Sequence, residues 1–224
     1  PLRHYAEVHL KLEPLPRGKG LVFESNCPND ELALNWQNLI LAHLKEKQHK
    51  GVLTGSPITD IKITLIAGKA HLKHTEGGDF RQATYRAIRQ GLKEAQCILL
   101  EPYYNFELII ENQYVSKALF DLENKHCTFK IEEDINNLVH IKGTGPVRLL
   151  MDYQKDVIAY TKGKGQFICE LEDYHECVDQ DKIIEETNYD SEADLNNPTG
   201  SIFCEHGAGY FVSWDEVKEH MHIQ

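Results

Sequence analysis

The sequence predicts an α+β protein with two domains and a C-terminal extension. Three observations lead to this prediction. At 224 residues the chain is long enough for two modest domains. Its first part alternates strands with amphipathic helices, and its second part has the order β-α-β-β-α-β, typical of the ferredoxin-like split βαβ fold. We place the domains at 1–97 and 98–172 and the extension at 173–224.

The first domain opens with a strand of alternating apolar and polar residues, which indicates one buried face. A turn rich in proline and glycine follows at 14–18, and 21–23 is predicted as a short second strand. A helix is then predicted from apolar side chains at helical spacing, with Gly51 as its stop and Trp36 as a core anchor. Its apolar residues are Leu32, Trp36, Leu39, Ile40 and Leu44.

A strand at 58–66 and a helix at 79–95 complete this domain, and a long polar loop connects them. The loop sequence is Lys69-Ala-His-Leu-Lys-His-Thr-Glu-Gly-Gly78. Loops of this kind, held between rigid elements, often carry function. Lys69 and Lys73 are suited to phosphate contacts, and His71 and His74 to stacking on bases or hydrogen bonding to them. The alternatives for the two histidines are a general base, metal ligands, or plain solvation.

The second domain is predicted from four strands and two helices. The strands are placed at 106–110, 127–132, 138–143 and 166–171. One helix is placed at 114–125, and the other begins at Pro146, because proline is favoured in the first turn of a helix. Together these elements give the ferredoxin-like order.

The extension is strongly acidic. From Glu170 to Gln224 there are 15 acidic residues and two lysines, whereas residues 1–97 hold 14 basic and 10 acidic residues. We expect 179–194 to be irregular, 202–204 and 210–212 to be strands around a turn at 207–209, and Ser213–Glu216 to cap a short helix. We also expect the extension to pack its apolar residues, Trp214 included, on the second domain and to face away from any RNA.

Several classes of function are excluded or disfavoured by the composition. No apolar run approaches the length of a membrane span, and the start at Pro1 has no signal-peptide pattern. No Gly-x-x-x-x-Gly-Lys-[Ser/Thr] loop is present, so this fragment is not expected to hydrolyse GTP. The six cysteines show no pairing pattern, which favours a reduced, cytoplasmic compartment. We expect no catalytic residue, no metal and no cofactor in this fragment.

Five segments together resemble a known family. They are Tyr5–Pro14, Leu53–Asp60, Gly68-Lys-Ala-His71 before a helix, Leu99-Leu-Glu-Pro102 and Thr161-Lys-Gly-Lys-Gly165. In order and spacing they resemble the fourth and fifth domains of elongation factor G-like translational GTPases, most of all the tetracycline ribosomal protection proteins. Residues 1–97 are then similar to domain IV, with its left-handed crossover, and 98–172 to domain V. Since Pro1 is not an initiator methionine, we interpret the chain as a C-terminal piece.

The resemblance implies a ribosome-binding fragment of a GTP-dependent translation factor that confers tetracycline resistance. The parent would be a monomeric cytoplasmic GTPase using GTP and magnesium, without membrane contact, and its loop would reach the small-subunit rRNA near the decoding site. The family's protection proteins carry an aromatic and proline-rich tip there, which this loop lacks. The implied contact residues are Lys69, His71, Leu72, Lys73, His74 and Thr75.

Two alternatives remain open at the level of sequence. Within the same class, the parent would be an elongation factor G paralogue that acts in translocation. From another class, the chain would be a metal- or small-molecule-binding α+β protein that uses its Cys- and His-rich tail. That tail offers Cys204, His206, His220 and His222, at spacings tighter than those of usual structural zinc sites.

Overall fold

The computed structural model describes residues 4–135, 137–206 and 208–223 and divides into two compact units. The first unit runs to Cys97 and also contains the segment from Asp181 onward, and the second runs from Ile98 to Gln180. No helix of the described ranges is long and apolar enough to cross a membrane.

The first unit is built on a three-stranded sheet of β1 (Ala6–Pro14), β2 (Leu21–Ser25) and β3 (Ile61–Ala70). The central strand is β3, which is antiparallel to β1 and parallel to β2. The predicted strand at 58–66 is therefore displaced toward the C-terminus. The loop correspondingly begins later, since Lys69 and Ala70 still pair with β1.

Two helices pack on this sheet, α1 (Leu34–Lys45) and α2 (Gly77–Glu94). The predicted stop of α1 at Gly51 is wrong: the helix ends at Lys45, and the Gly51 amide instead donates to the carbonyl oxygen of Ser56 at 2.7 Å. Trp36 packs at the core as predicted, with its ring 5.1 Å from that of Phe80. The largest apolar side chains buried in this unit are Leu32, Ile40, Leu44, Ile63, Leu65, Phe80 and Ile88.

The second unit has the predicted order of elements. They are β4 (Leu100–Glu111), α3 (Val115–Asn124), β5 (Thr128–Ile135), β6 (Leu138–Pro146), α4 (Val147–Leu150), α5 (Tyr153–Tyr160) and β7 (Gln166–Glu176). All neighbouring strands are antiparallel, in the order β5-β6-β4-β7, which is the ferredoxin-like arrangement. The predicted helix at Pro146 is split in two, and β4 is longer than predicted because its first half pairs with the end of β7.

The extension contains more regular structure than its composition suggests. Its elements are α6 (Gln180–Thr187), β8 (Ser201–Glu205), β9 (Ala208–Val212) and α7 (Val217–His220). The first half of the segment predicted as irregular is thus helical, and Ser213 does not cap the last helix, whose N-cap is Glu216. The two predicted strands form a hairpin. Gly207 of the predicted turn lies outside the described residues.

From Asp181 onward the extension packs on the first unit, whereas its first residues, 173–180, belong to the second unit. The prediction that its apolar residues dock on the second domain is therefore wrong. Basic residues of α2 hold it: Arg89 donates to the carbonyl oxygen of Ser191, and Lys93 lies 2.9 Å from the Glu192 carboxylate. Arg86 donates to the carbonyl oxygen of Gly200. Spacings of three and four residues place these three side chains on one face of the helix, opposite the acidic segment.

The expected burial of apolar side chains in the extension is only partly observed. Val212 is buried, whereas Ile202 and Phe211 are exposed. Trp214 is half-buried, with its indole nitrogen 3.3 Å from Glu192 and its ring 5.1 Å from the Lys93 ammonium. Charge pairing with α2 therefore contributes to docking alongside apolar burial.

Candidate RNA-binding tip

The candidate site is the tip of the first unit, where β3 ends, α2 begins and the chain enters β1. The strand approaches the body of the unit closely at Gly68. A Cβ atom there would lie 2.8 Å from the Leu32 side chain and 3.1 Å from the carbonyl oxygen of Glu7. Such a separation is too short for a methyl group, so only glycine fits without a shift.

Hydrogen bonds to Tyr5 and Thr75 give the loop after β3 a fixed conformation. The Thr75 hydroxyl accepts from the His71 amide at 2.7 Å and donates to the carbonyl oxygen of Tyr5 at 2.6 Å. The Tyr5 amide in turn donates to the carbonyl oxygen of His74 at 2.8 Å. The residue just before β1 therefore holds the end of the loop, and Thr75 connects that end to the start of the loop at His71.

The loop ends in a capping box at the start of α2. Glu76 is the N-cap, its amide donates to the Asp79 carboxylate at 2.8 Å, and its own side chain accepts from the Asp79 amide. This arrangement satisfies amides that the first turn of a helix leaves free. Gly77 and Gly78, predicted as part of the loop, are the first residues of the helix. Asp79 lies in the first turn of α2, in agreement with the predicted helix start at 79.

Several side chains of the loop region project into solvent. The rings of His71 and His74 stack on each other, with centroids 4.4 Å apart and planes inclined by 13°. Leu72 is fully exposed, and Lys69 and Lys73 are exposed on either side. The tip thus presents a flat imidazole pair, an apolar side chain and two ammonium groups, which are groups that RNA-binding proteins use for stacking and phosphate contact.

The structure brings all six predicted contact residues together, though Thr75 is engaged within the protein. Its hydroxyl has partners on both sides, so it shapes the tip and is not free to bind a ligand. Sequence reasoning missed Tyr5 and His4. The ring nitrogen Nδ1 of His4 lies 2.9 Å from the Asp79 carboxylate, and nothing in the local pattern could have shown this, because 75 residues separate the two.

The Cys/His tail does not form the metal site considered as an alternative. Within the described ranges, no three His, Cys, Asp or Glu side chains are placed to hold a metal ion. His220 lies 3.1 Å from the Tyr210 hydroxyl, whereas His222 contacts Tyr5 and Glu7. Cys204 is exposed. The tail histidines therefore point to separate partners.

Asp60 has a structural role in the first unit. It is buried, and its carboxylate accepts from the Gly20 amide at 2.8 Å. Its carbonyl oxygen accepts from the Leu15 amide at 2.8 Å. These contacts brace the turn between β1 and β2.

Comparison with known families assigns the class of protein that this fold defines. Residues 1–96 match the model for elongation factor G, domain IV, and residues 98–183 match the model for the elongation factor G C-terminus. The two matches meet where the structure divides, beside Cys97. The chain belongs to the elongation factor G-like family and comprises the fourth and C-terminal domains of such a protein.

Among its relatives are tetracycline resistance proteins. The chain is 35% identical over 187 residues to the tetracycline resistance protein TetP of Clostridium perfringens, and 32% identical over 179 residues to TetO of Campylobacter jejuni. The matches cover 83% and 80% of this chain but 28% of each relative. The chain therefore spans little more than a quarter of the relatives that it matches.

A solved structure supports the fold assignment. A crystal structure of a protein from Thermus thermophilus superposes with a TM-score of 0.68 at 26% identity. The match covers 81% of this chain and 27% of the other chain.

Proposed function

We propose that this chain is the ribosome-binding part of a GTP-dependent translation factor, and that its tip contacts small-subunit rRNA near the decoding site. The observation that carries the proposal is the tip itself. Its stacked histidines, exposed Leu72 and two lysines project into solvent from a loop that Thr75 and Tyr5 hold in one conformation. A conformation already fixed in the free protein lowers the entropy cost of binding.

The roles of the contact residues follow from their chemistry. Lys69 and Lys73 neutralise phosphates, which positions the tip without reading sequence. His71 and His74 offer a planar surface on which an unstacked base can lie, and Leu72 fills the apolar space beside it. No step of covalent chemistry is assigned to these residues.

The GTPase activity, with its GTP and magnesium, belongs to the intact protein. The chain lacks a phosphate-binding loop and spans 28% of its tetracycline resistance relatives. These relatives are named as tetracycline resistance proteins, and we propose that the whole protein protects the cytoplasmic ribosome against tetracycline. The second candidate is a paralogue that acts in translocation, because the tip has no Phe, Tyr, Trp or Pro residue between Lys69 and Gly78.

The proposal is tested by the affinity of the intact protein for ribosomes, measured by co-sedimentation at several salt concentrations. The variant K69A/K73A removes two charges at the tip. The control K11A/K62A removes two charges from lysines on β1 and β3, which pair with Glu13 and Glu24.

We expect K69A/K73A to weaken binding severalfold and to reduce the slope of log affinity against log salt by about 0.7 for each phosphate that is no longer neutralised. The control should bind like the wild type. Equal affinities and equal slopes for both variants would contradict an RNA-binding role of the tip.

A further inference from the structure

Tyr5 connects the tip to the C-terminal end of the chain. Its backbone amide and carbonyl group are both bonded to the loop, through His74 and Thr75. Its side chain faces the extension, where the ring of His222 stacks on it with centroids 5.3 Å apart and planes inclined by 16°. The Nδ1 atom of His222 lies 2.9 Å from the Tyr5 hydroxyl. These contacts join residues that lie 217 positions apart in sequence.

Glu7 anchors the same end of the extension. Its carboxylate accepts hydrogen bonds from the backbone amides of His222 and Ile223 at 3.0–3.1 Å, and from the Tyr5 hydroxyl at 2.9 Å. His9 adds a further contact at 2.8 Å. Backbone amides and a carboxylate form charge-assisted bonds, which are stronger than neutral ones. The last residues of the described chain are thus fixed beside the strand that leads out of the tip.

We propose that the end of the extension, His222 and Ile223, positions the RNA-binding tip through Tyr5. The proposal rests on the function proposed above for the tip. His222 is a positioning residue: it acts on the loop through Tyr5 and has no contact with RNA of its own in this account. The end of the extension therefore supports the tip from within the protein, although the overall charge of the extension opposes RNA.

The position of Tyr5 explains why such support matters. The ladder between β1 and β3 begins at Ala6, so Tyr5 lies one residue beyond it. Strand ends fray when they lack contacts outside the ladder. Stacking by His222 and the bond to Glu7 hold the Tyr5 ring, and a fixed ring limits the motion of the backbone that holds His74 and Thr75.

The coupling is tested first without the ribosome, by hydrogen exchange and NMR on the 224-residue chain. In H222A, the Tyr5 amide that donates to His74 should exchange at least fivefold faster than in the wild type. The imidazole signals of His71 and His74 should shift in the same variant. The control is H220A, which removes a neighbouring histidine whose described contacts stay within the extension, at Tyr210 and Phe203. It should leave both readouts unchanged.

A second variant separates coupling from general loss of the extension. E7Q removes the negative charge of Glu7, which anchors the end of the extension, and changes no residue of the extension itself. It should also accelerate hydrogen exchange at the Tyr5 amide. Tryptophan fluorescence, to which Trp214 contributes beside Lys93 and Glu192, should stay at its wild-type value in both variants if only the end is released. Tyr5 exchange at the wild-type rate in H222A and E7Q would overturn the proposal.

The ribosome then decides whether the coupling serves binding. In the intact protein, H222A should raise the ribosome concentration needed for half-maximal GTP hydrolysis about threefold or more and leave the maximal rate unchanged, and H220A should change neither. If K69A/K73A weakens ribosome binding but H222A behaves like H220A, the positioning role fails and the function of the tip stands. If K69A/K73A has no effect, the proposed function itself fails.

Discussion

The guanidinium group of Arg89 donates from Nη2 to the carbonyl oxygen of Ser191 across 3.1 Å, joining α2 to the C-terminal extension. The same side chain donates from Nη1 to the carbonyl oxygens of Lys50 and Gly51, each at 2.9 Å. Arg89 is only 4% exposed, and its planar fork of donors reaches all three acceptors at once. The extension is therefore part of the structure of the first unit.

Replacement of Arg89 should destabilise the first unit. R89A leaves the buried carbonyl oxygen of Ser191 and the partly buried ones of Lys50 and Gly51 without this donor, which costs about 2–4 kcal/mol in the free energy of unfolding. R89K should recover only part of this loss, because an ammonium group cannot reproduce the fork. Urea unfolding followed by the fluorescence of Trp36 and Trp214 measures the effect.

The matched control for Arg89 is R81A on the same helix. Arg81 is half-exposed and pairs with Glu46, and exposed pairs contribute about 0–1 kcal/mol. If R89A costs no more than R81A, Arg89 does not hold the extension.

Replacement by alanine should change the free energy of unfolding differently at two glycines of the tip, Gly68 and Gly78. G68A places a methyl group 2.8 Å from Leu32 and should cost about 1–3 kcal/mol. G78A meets no atom within 4 Å in the first turn of α2, so it should be neutral or stabilise by up to about 1 kcal/mol. Thermal unfolding of the two variants gives the comparison, and a higher melting temperature for G68A than for G78A would show that the close approach at Gly68 is not as described.

Docking of the chain end should be lost in acid. Burial raises the pKa of Glu7, but hydrogen bonds from His9, Ile223, Tyr5 and His222 outweigh it and lower the pKa from 4.5 to about 2. Because the folded protein binds this proton less tightly than the unfolded chain, the stabilisation is fully present above the ordinary carboxyl pKa of 4.5. It then falls as the pH drops toward the folded-state value of about 2.

The pH dependence can be followed through the chemical shifts of the His222 and Ile223 amides between about pH 6 and about pH 2.5. They should move toward free-chain values below pH 4.5. E7Q carries no titrating group at this position, so its amide shifts should stay constant over the same range. If the chemical shifts of the two amides change with pH in E7Q as they do in the wild type, a titrating group other than Glu7 causes the change.

Much of the fold could be predicted, because periodicity and turn residues mark elements locally. The ferredoxin-like order and the helix after the tip are examples. The ends of strands are harder to predict where pairing with a distant strand decides them. Lys69 is an example, because it pairs with Glu7 and so belongs to β3 and not to the loop. The docking site of the extension could not be predicted, because its apolar residues and its predicted cap indicate only that it packs on protein, whereas the basic face of α2 decides where it docks.

The residues of the tip could be predicted from the sequence, but the contacts that hold them could not. Lys69, His71, Lys73 and His74 stand out in the sequence as a polar loop. The hydrogen bonds of Tyr5 to that loop and its stacking on His222 depend on contacts between chain segments far apart in sequence. No local pattern encodes such contacts, and for this reason the support of the tip emerges only from the structure.

The central claim is tested most directly by photo-cross-linking of the intact protein to ribosomes from a single position. A photoreactive amino acid is placed at Leu72, which is fully exposed at the tip, or at Leu195, which is 91% exposed on the extension. We predict that the probe at position 72 cross-links to small-subunit rRNA near the decoding site and that the probe at position 195 does not. Absence of an rRNA cross-link from position 72, with ribosome binding intact, would contradict the account.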